Sequence, residues 1–227
     1  MEKISLEHRQ KVKEVTLDMA NNMETSARQC FSNAKLVTDR FHVVRLAIEA
    51  IQHIRIKLRW DELDKENSEI ANAKKNREKY KPEILSNGDT PKQLLERRRY
   101  ILMKKSYQWT KSQKERAALL FSRYPILWTA YNFALDFRNI YELKDKNLAE
   151  VKFRQWCENI SKNNIAEFNT VANTVKNNID NILNFFSNRH TNANAESFNA
   201  KIKLFRANLR GVTDNAFFLF RIAKLFA

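Results

Sequence analysis

The chain has 227 residues with 41 Lys and Arg against 26 Asp and Glu, a formal net charge of +15. That length allows one or two domains with a sizeable core, and that charge makes a polyanion the first partner to consider, because each neutralised phosphate releases counterions. Cys30 and Cys157 lie far apart without a CxxC spacing, which argues against a cysteine zinc site and a disulfide framework and suits a reducing compartment.

Residues 1–10 lack the apolar segment of a secretory signal. The most apolar stretch, residues 216–227, is broken by Arg221 and Lys224 and is too short to span a bilayer. The expectation is a soluble cytoplasmic protein with no membrane partner. Charge alone does not separate DNA from RNA or from an anionic surface. Only two glycines and three prolines occur, too few for a turn-rich sheet protein, so the chain is expected to be mostly helical.

In chain order, residues 5–11 read as a short polar helix with Ser5 as its N-cap. Residues 12–17 alternate β-branched and polar side chains and predict a strand ending at Asp18. A helix follows over 19–31, then a second strand over 34–38, ending at Asp39. Strand, helix and strand within 30 residues make a βαβ unit with parallel strands. Nothing later resembles a strand, and two strands are too few for an independent sheet.

Residues 41–80 turn helical, with Val44, Ile48, Ile51, Ile54 and Leu58 at three- and four-residue steps. The second half, 61–81, is charged enough to stand mainly in solvent. Residues 86–91 break the chain, with Thr90 as N-cap and Pro91 at the first helical position. Thr110 with Gln113, and Asn147 with Glu150, resemble capping boxes. Pro125 opens a helix to about 141, and one long helix is expected over 165–186.

The tail begins with a polar loop at 188–196. A helix then places Phe198, Ile202 and Phe205 on one face and Lys201, Lys203 and Arg206 elsewhere, with Gly211 as its C′ residue. A last amphipathic helix from Thr213 is expected to pack Phe217, Phe218, Phe220 and Leu225.

Three acidic positions stand out: Asp18 and Asp39 after the two strands, and Glu196 opening a helix after the polar loop. Functional groups collect at the carboxyl ends of parallel strands. Carboxylates there can hold Mg²⁺, and a pair of such ions stabilises both oxygens of an in-line phosphoryl transfer. Plainer readings compete with this one. An Asp after a strand can be an N-cap, a Glu in a first turn complements the helix dipole, and His42 can be a packing residue. Arg97, Arg98 and Arg99 suit a solvated face. Trp109, Trp128, Tyr131, Phe133, Phe137 and Trp156 suit a helical core better than a base-stacking platform.

The order of three segments adds a resemblance: residues 15–19 (VTLDM), 38–43 (TDRFHV), and 194–199 (NAESFN) with Lys201 and Lys203. Together with Arg210, Gly211 and residues 214–218, they resemble the DDE insertion-element transposases of the ISL-three type. The likeness in character covers essentially the whole chain, and its specificity rests on those three motifs. It implies a ribonuclease-H-like core interrupted by an all-helical insertion, with Asp18 as the second acidic residue of the triad and Glu196 as the third. These two are then the catalytic residues and metal ligands, for Mg²⁺ or Mn²⁺. Asp39 and His42 fit the family's aspartate-x-x-histidine motif as supporting residues. Lys201, Lys203, Arg206 and Arg210 become candidate DNA contacts.

The fold expected is mostly α with a small α/β part, a truncated ribonuclease-H-like core of two parallel strands interrupted by helices. Residues 1–45 are the second half of the sheet, 46–187 the insertion, and 188–227 the core helices carrying the third acidic residue. In the family, the first catalytic Asp, a zinc-binding segment and a helix-turn-helix reader precede the matched region. The expectation is therefore a chain in which metal binding is weak and strand cleavage is lost, with DNA (transposon ends and target) and a second copy of itself as partners. Two other classes remain open: a basic helical nucleic-acid-binding protein with no catalytic ancestry, and an RNA-processing nuclease with the same core.

Overall fold

Residues 4–96, 100–189, 191 and 193–226 are described by a computed structural model. The expected βαβ unit is present: after the short helix α1 (Leu6–Gln10) come β1 (Glu14–Leu17), α2 (Asn21–Cys30) and β2 (Lys35–Thr38). The two strands pair in parallel, with Val15 opposite Leu36 and Leu17 opposite Thr38. Ser5 caps α1, accepting a hydrogen bond from the His8 amide. Side chains alternate across a strand, so Leu36 joins Leu17 and Ala27 in a small cluster against α2, while Val37 turns into the main core.

The main core is helical. It is built by α3 (Arg40–Lys75), α4 (Pro91–Glu96), α5 (Lys111–Arg123), α6 (Pro125–Ile140), α7 (Lys146–Asn163), α8 (Ala166–Asn177) and α9 (Ile179–Asn188), with two 3₁₀ turns at Ile101–Met103 and Ser106–Gln108. The chain closes with α10 (Ala193–Asn208) and α11 (Asn215–Phe226). Among the described residues, no helix is long and apolar enough to cross a membrane. The expected solvated face at Arg97, Arg98 and Arg99 lies outside the described residues, as do His190 and Asn192 of the polar loop.

At 1.5 Å per residue α3 runs about 54 Å. Its first half is buried through Val43, Ala47, Ala50, Ile51 and Ile54. Of the expected stripe, Ile51 and Ile54 are buried and Val44, Ile48 and Leu58 only partly so. The buried face is centred on Ala47 and Ala50, whose small side chains let α6 and α8 pack close to α3. Beyond Asp61 the helix stands largely in solvent, tethered by Tyr124 Oη donating to Glu62 at 2.7 Å and by a Lys92–Glu66 ion pair. It stops at Lys75, short of the expected 80, where Asn76 caps it and Arg77 takes a left-handed φ of 60°.

The caps decide the other boundaries. Thr90 and Gln93 exchange backbone bonds, as do Thr110 and Gln113, and Pro125 opens α6. At α7 the expected box is displaced: Asp145, not Asn147, is the N-cap, accepting from the Leu148 amide at 2.6 Å, while Glu150 pairs with Arg154. A carboxylate two positions earlier reaches an orphan amide and complements the helix dipole better than the amide side chain of Asn147. The expected helix over 165–186 is two helices broken at Asn178, whose side-chain amide turns back to the Thr174 carbonyl at 2.8 Å.

The core aromatics form one connected layer. Phe137 meets Trp156 at 4.6 Å between ring centres, and Tyr141 meets Phe153, Phe185 and Phe186. The buried indole of Trp156 donates to the Phe133 carbonyl at 2.8 Å, and Trp109 to Ile101 at 3.1 Å. Trp128 departs from expectation: it leans on Phe121 and Tyr131 and remains 48% exposed.

The last helix departs too. Phe218 and Phe226 pack on Phe205 of α10, but Phe217, Phe220 and Leu225 are more than half exposed. Apolar residues surround α11, and α10 covers one face of it. Gly211 has φ 127° but follows Arg210, which itself takes the left-handed conformation ending α10.

Exchanging Asp145 for Ala should lower stability by about 1 kcal/mol, while Asn147→Ala should leave it within about 0.5 kcal/mol. Urea unfolding followed by circular dichroism of the two variants distinguishes the caps; equal losses would restore Asn147.

Candidate metal and phosphate site

The site is built at the carboxyl ends of β1 and β2, which lie side by side because the strands are parallel. Asp39 extends the ladder, its amide donating to the Leu17 carbonyl at 2.9 Å, and then caps α3. Its Oδ1 accepts from the Phe41 amide at 3.0 Å, and the residue is only 2% exposed. The N-cap reading thus holds for Asp39, which remains compatible with a second role for its carboxylate. Asp18 is different: its Oδ1 accepts from the Ala20 amide at 3.0 Å in a tight turn, and Ala20, not Asp18, is the N-cap of α2.

His42 sits one turn into α3, three residues after Asp39 and on the same side of the helix start. Its ring stands edge-on to Phe41, 5.6 Å between centres. Glu196 arrives in the first turn of α10. One ligand atom each from Asp39, His42 and Glu196 lie within 4.8 Å of one another. Asp18 occupies the neighbouring strand end but is not a member of this group.

The approach of Glu196 is set by the residues before it. Three asparagines on one edge of α9 hold the βαβ unit: Asn181 donates to Glu24, Asn184 to the Leu36 carbonyl and Asn188 to Glu14, at 3.2, 2.9 and 2.9 Å. Arg189 then ends α9 in the left-handed conformation, φ 56°. Its guanidinium donates to the carbonyls of Tyr141 at 2.9 Å and Leu143 at 2.7 Å, satisfying orphan groups at the C-terminal end of α6. Glu196, seven residues further on, stands beside Asp39.

Asp39 and Glu196 line a cavity of about 370 Å³ together with Arg40, Lys105, Arg138 and Tyr141. Lys105 is held by Glu142, and Arg138 donates to the Met103 carbonyl at 2.9 Å. Carboxylate, guanidinium and ammonium groups around one cavity suit a phosphodiester with its counter-cation. Tyr141 is unusual: its buried hydroxyl has no hydrogen-bond partner among the described residues, and burial raises its pKa far above the ordinary phenol value.

The sequence reading missed Lys105, Arg138 and Tyr141, because they enter from the helices between the motifs and carry no motif of their own. Of the candidate DNA contacts, Lys201, Lys203 and Arg206 are exposed on α10 and Arg210 is exposed just past its end. Lys203 follows Glu196 by seven residues, two turns along the same helix face.

The donor set fits a divalent ion: two carboxylates and an imidazole converge, and the orphaned Tyr141 hydroxyl lines the cavity that Asp39 and Glu196 share. Tyr141→Phe should leave the unliganded protein as stable as the parent or stabilise it by about 1 kcal/mol, since it removes a buried group with no partner. A thermal melt showing a loss above about 1 kcal/mol would mean that the hydroxyl is satisfied in solution.

A family model described as a transposase, of the ISL-three DDE type, matches residues 1–222. No curated protein and no solved structure matches the chain at a significant level.

Proposed function

Because the chain belongs to the ISL-three family of DDE transposases, we propose that its part in DNA transposition is to present Asp18 and Glu196 as carboxylates for metal-dependent DNA strand cleavage and transfer. The observation that carries this reading is convergence. Two aspartates stand at adjacent parallel strand ends, and Glu196, far down the chain, is brought to that same end beside Asp39. Helix capping alone would not require a glutamate from the tail to meet Asp39.

On this reading residues 1–45 are the second half of a ribonuclease-H-like sheet, 46–187 a helical insertion, and 188–227 the core helices that return the third acidic residue. A bound Mg²⁺ or Mn²⁺ would stabilise charge on the attacking and leaving oxygens of a phosphodiester. Asp18 and Glu196 would hold it, with Asp39 and His42 in support. The protein's own groups do the rest. Lys105 and Arg138 add positive charge to the cavity lining, and Asp39 locks the start of α3. Lys201, Lys203, Arg206 and Arg210 track the DNA backbone away from the site.

By the resemblance, these 227 residues carry the second and third carboxylates of the triad. Two carboxylates of three hold a catalytic ion weakly, so the chain alone should nick supercoiled plasmid in Mg²⁺ or Mn²⁺ at the background rate. Nicking above background that Glu196→Gln abolishes would keep the site and overturn the inactivity. Nicking that ignores both Glu196→Gln and Asp18→Asn would overturn the site itself.

DNA binding is a separate expectation. With a net charge of +15, affinity for a random duplex should fall steeply with salt. Replacing Lys201, Lys203, Arg206 and Arg210 by Ala should flatten the slope of log K against log salt by about 3 to 4 if all four neutralise phosphates. Fluorescence anisotropy across a salt series measures this, and an unchanged slope would remove α10 from the DNA path.

A further inference from the structure

We propose that Asp39, His42 and Glu196 form a mixed nitrogen and oxygen site for a divalent transition-metal ion, with the His42 imidazole as a direct ligand, so that the site takes Mn²⁺ in preference to Mg²⁺. The inference rests on the reading of Glu196 as a metal-holding carboxylate, and adds to it a ligand of different chemistry.

Distance is the first support. Ligands about 2.1 Å from one ion stand about 3.0 Å apart when cis and about 4.2 Å when trans. The three donor atoms lie within 4.8 Å of one another, so small side-chain rotations close the set onto one ion. Two of the donors need little adjustment. Asp39 is fixed by its bond from the Phe41 amide and by its place on the strand ladder. His42 is one turn further along the same helix, with Phe41 against its ring. Glu196 is exposed and supplies the movement.

The surroundings are the second support. Asp39 is 2% exposed, and a carboxylate taken out of water gains most from a cation brought to it. The Tyr141 hydroxyl is buried without a partner and lines the cavity shared by Asp39 and Glu196. A water on the ion would give it one.

The choice of ion follows from the nitrogen. Mg²⁺ binds oxygen donors almost exclusively and sheds water reluctantly. Imidazole suits transition ions, whose affinities exceed those of the hard alkaline-earth ions at such sites. A plain carboxylate pair would not discriminate in this way.

The test uses the whole 227-residue chain and Mn²⁺ alone. Electron paramagnetic resonance counts bound Mn²⁺, and its pulsed form detects a directly bonded ¹⁴N nucleus. One ion per chain with ¹⁴N coupling is expected. His42→Gln should remove the coupling and weaken Mn²⁺ at least tenfold while changing Mg²⁺ affinity by less than twofold; circular dichroism confirms that the variant folds. Glu196→Gln, at an exposed position, should weaken both ions.

Bound Mn²⁺ without nitrogen coupling, with Glu196→Gln still weakening it, would overturn the role of His42 and leave the carboxylate reading in place. Mn²⁺ binding indifferent to both substitutions, or no stoichiometric binding, would overturn the site altogether.

Discussion

The attachment of α9 at both of its sides is the constraint on which the rest depends. One edge, Asn181, Asn184 and Asn188, grips α2, β2 and β1. The other, Ile182, Leu183, Phe185 and Phe186, is buried in the helical core. Two strands alone would be a marginal sheet; here the backbone carbonyl of Leu36 receives a side-chain amide from Asn184 in place of a third strand. At its end Arg189 fastens the chain to α6. The same ten-residue helix thus supports the sheet and closes the core.

Helix α3 does the complementary work. Its first residue follows Asp39 directly, so the end of the sheet and the start of the longest helix are one rigid joint. Its buried half packs on α6 and α8, and its far half stands in solvent. A displacement of α6 would therefore shift Asp39, Arg138 and Tyr141 together. In that sense the helices between the motifs are not a separate appendage: they form one wall of the cavity.

Much of this was legible in the sequence where local chemistry decides the outcome. The strands at 14–17 and 35–38, Ser5, the Thr110 box and the Pro125 start follow from alternation, capping and fixed φ. Reading failed where two neighbours offered the same service, as with Asp145 and Asn147, or where a break carried no Gly or Pro, as at Asn178. Trp128 and the outer face of α11 show a further limit, since periodicity marks apolar residues without saying how many partners will cover them. At the site, the three acidic positions were visible by order along the chain. Which of them meet was not, because that depends on Arg189 and on the asparagine edge of α9, polar residues whose i, i+3, i+7 spacing looks like an ordinary wet face. Lys105, Arg138 and Tyr141 had no local signal at all.

The site combines fixed and movable parts. Asp39 and His42 belong to a capped helix start wedged into the core, whereas Glu196 is exposed on α10, which contributes no residue to that core among those described. Two converging carboxylates repel each other until a cation intervenes, and a buried one pays more than an exposed one for the lack of it. Without a cation the exposed glutamate already stands within 4.8 Å of the fixed pair, so an ion arriving there would relieve a repulsion that the fold has built in. Because Lys203 lies two turns along the same face of α10, a phosphate accompanying the ion would meet positive charge on the helix that carries the glutamate. Charge neutralisation at one end of α10 and backbone contact along it are then served by one helix, acidic in its first turn and basic further along.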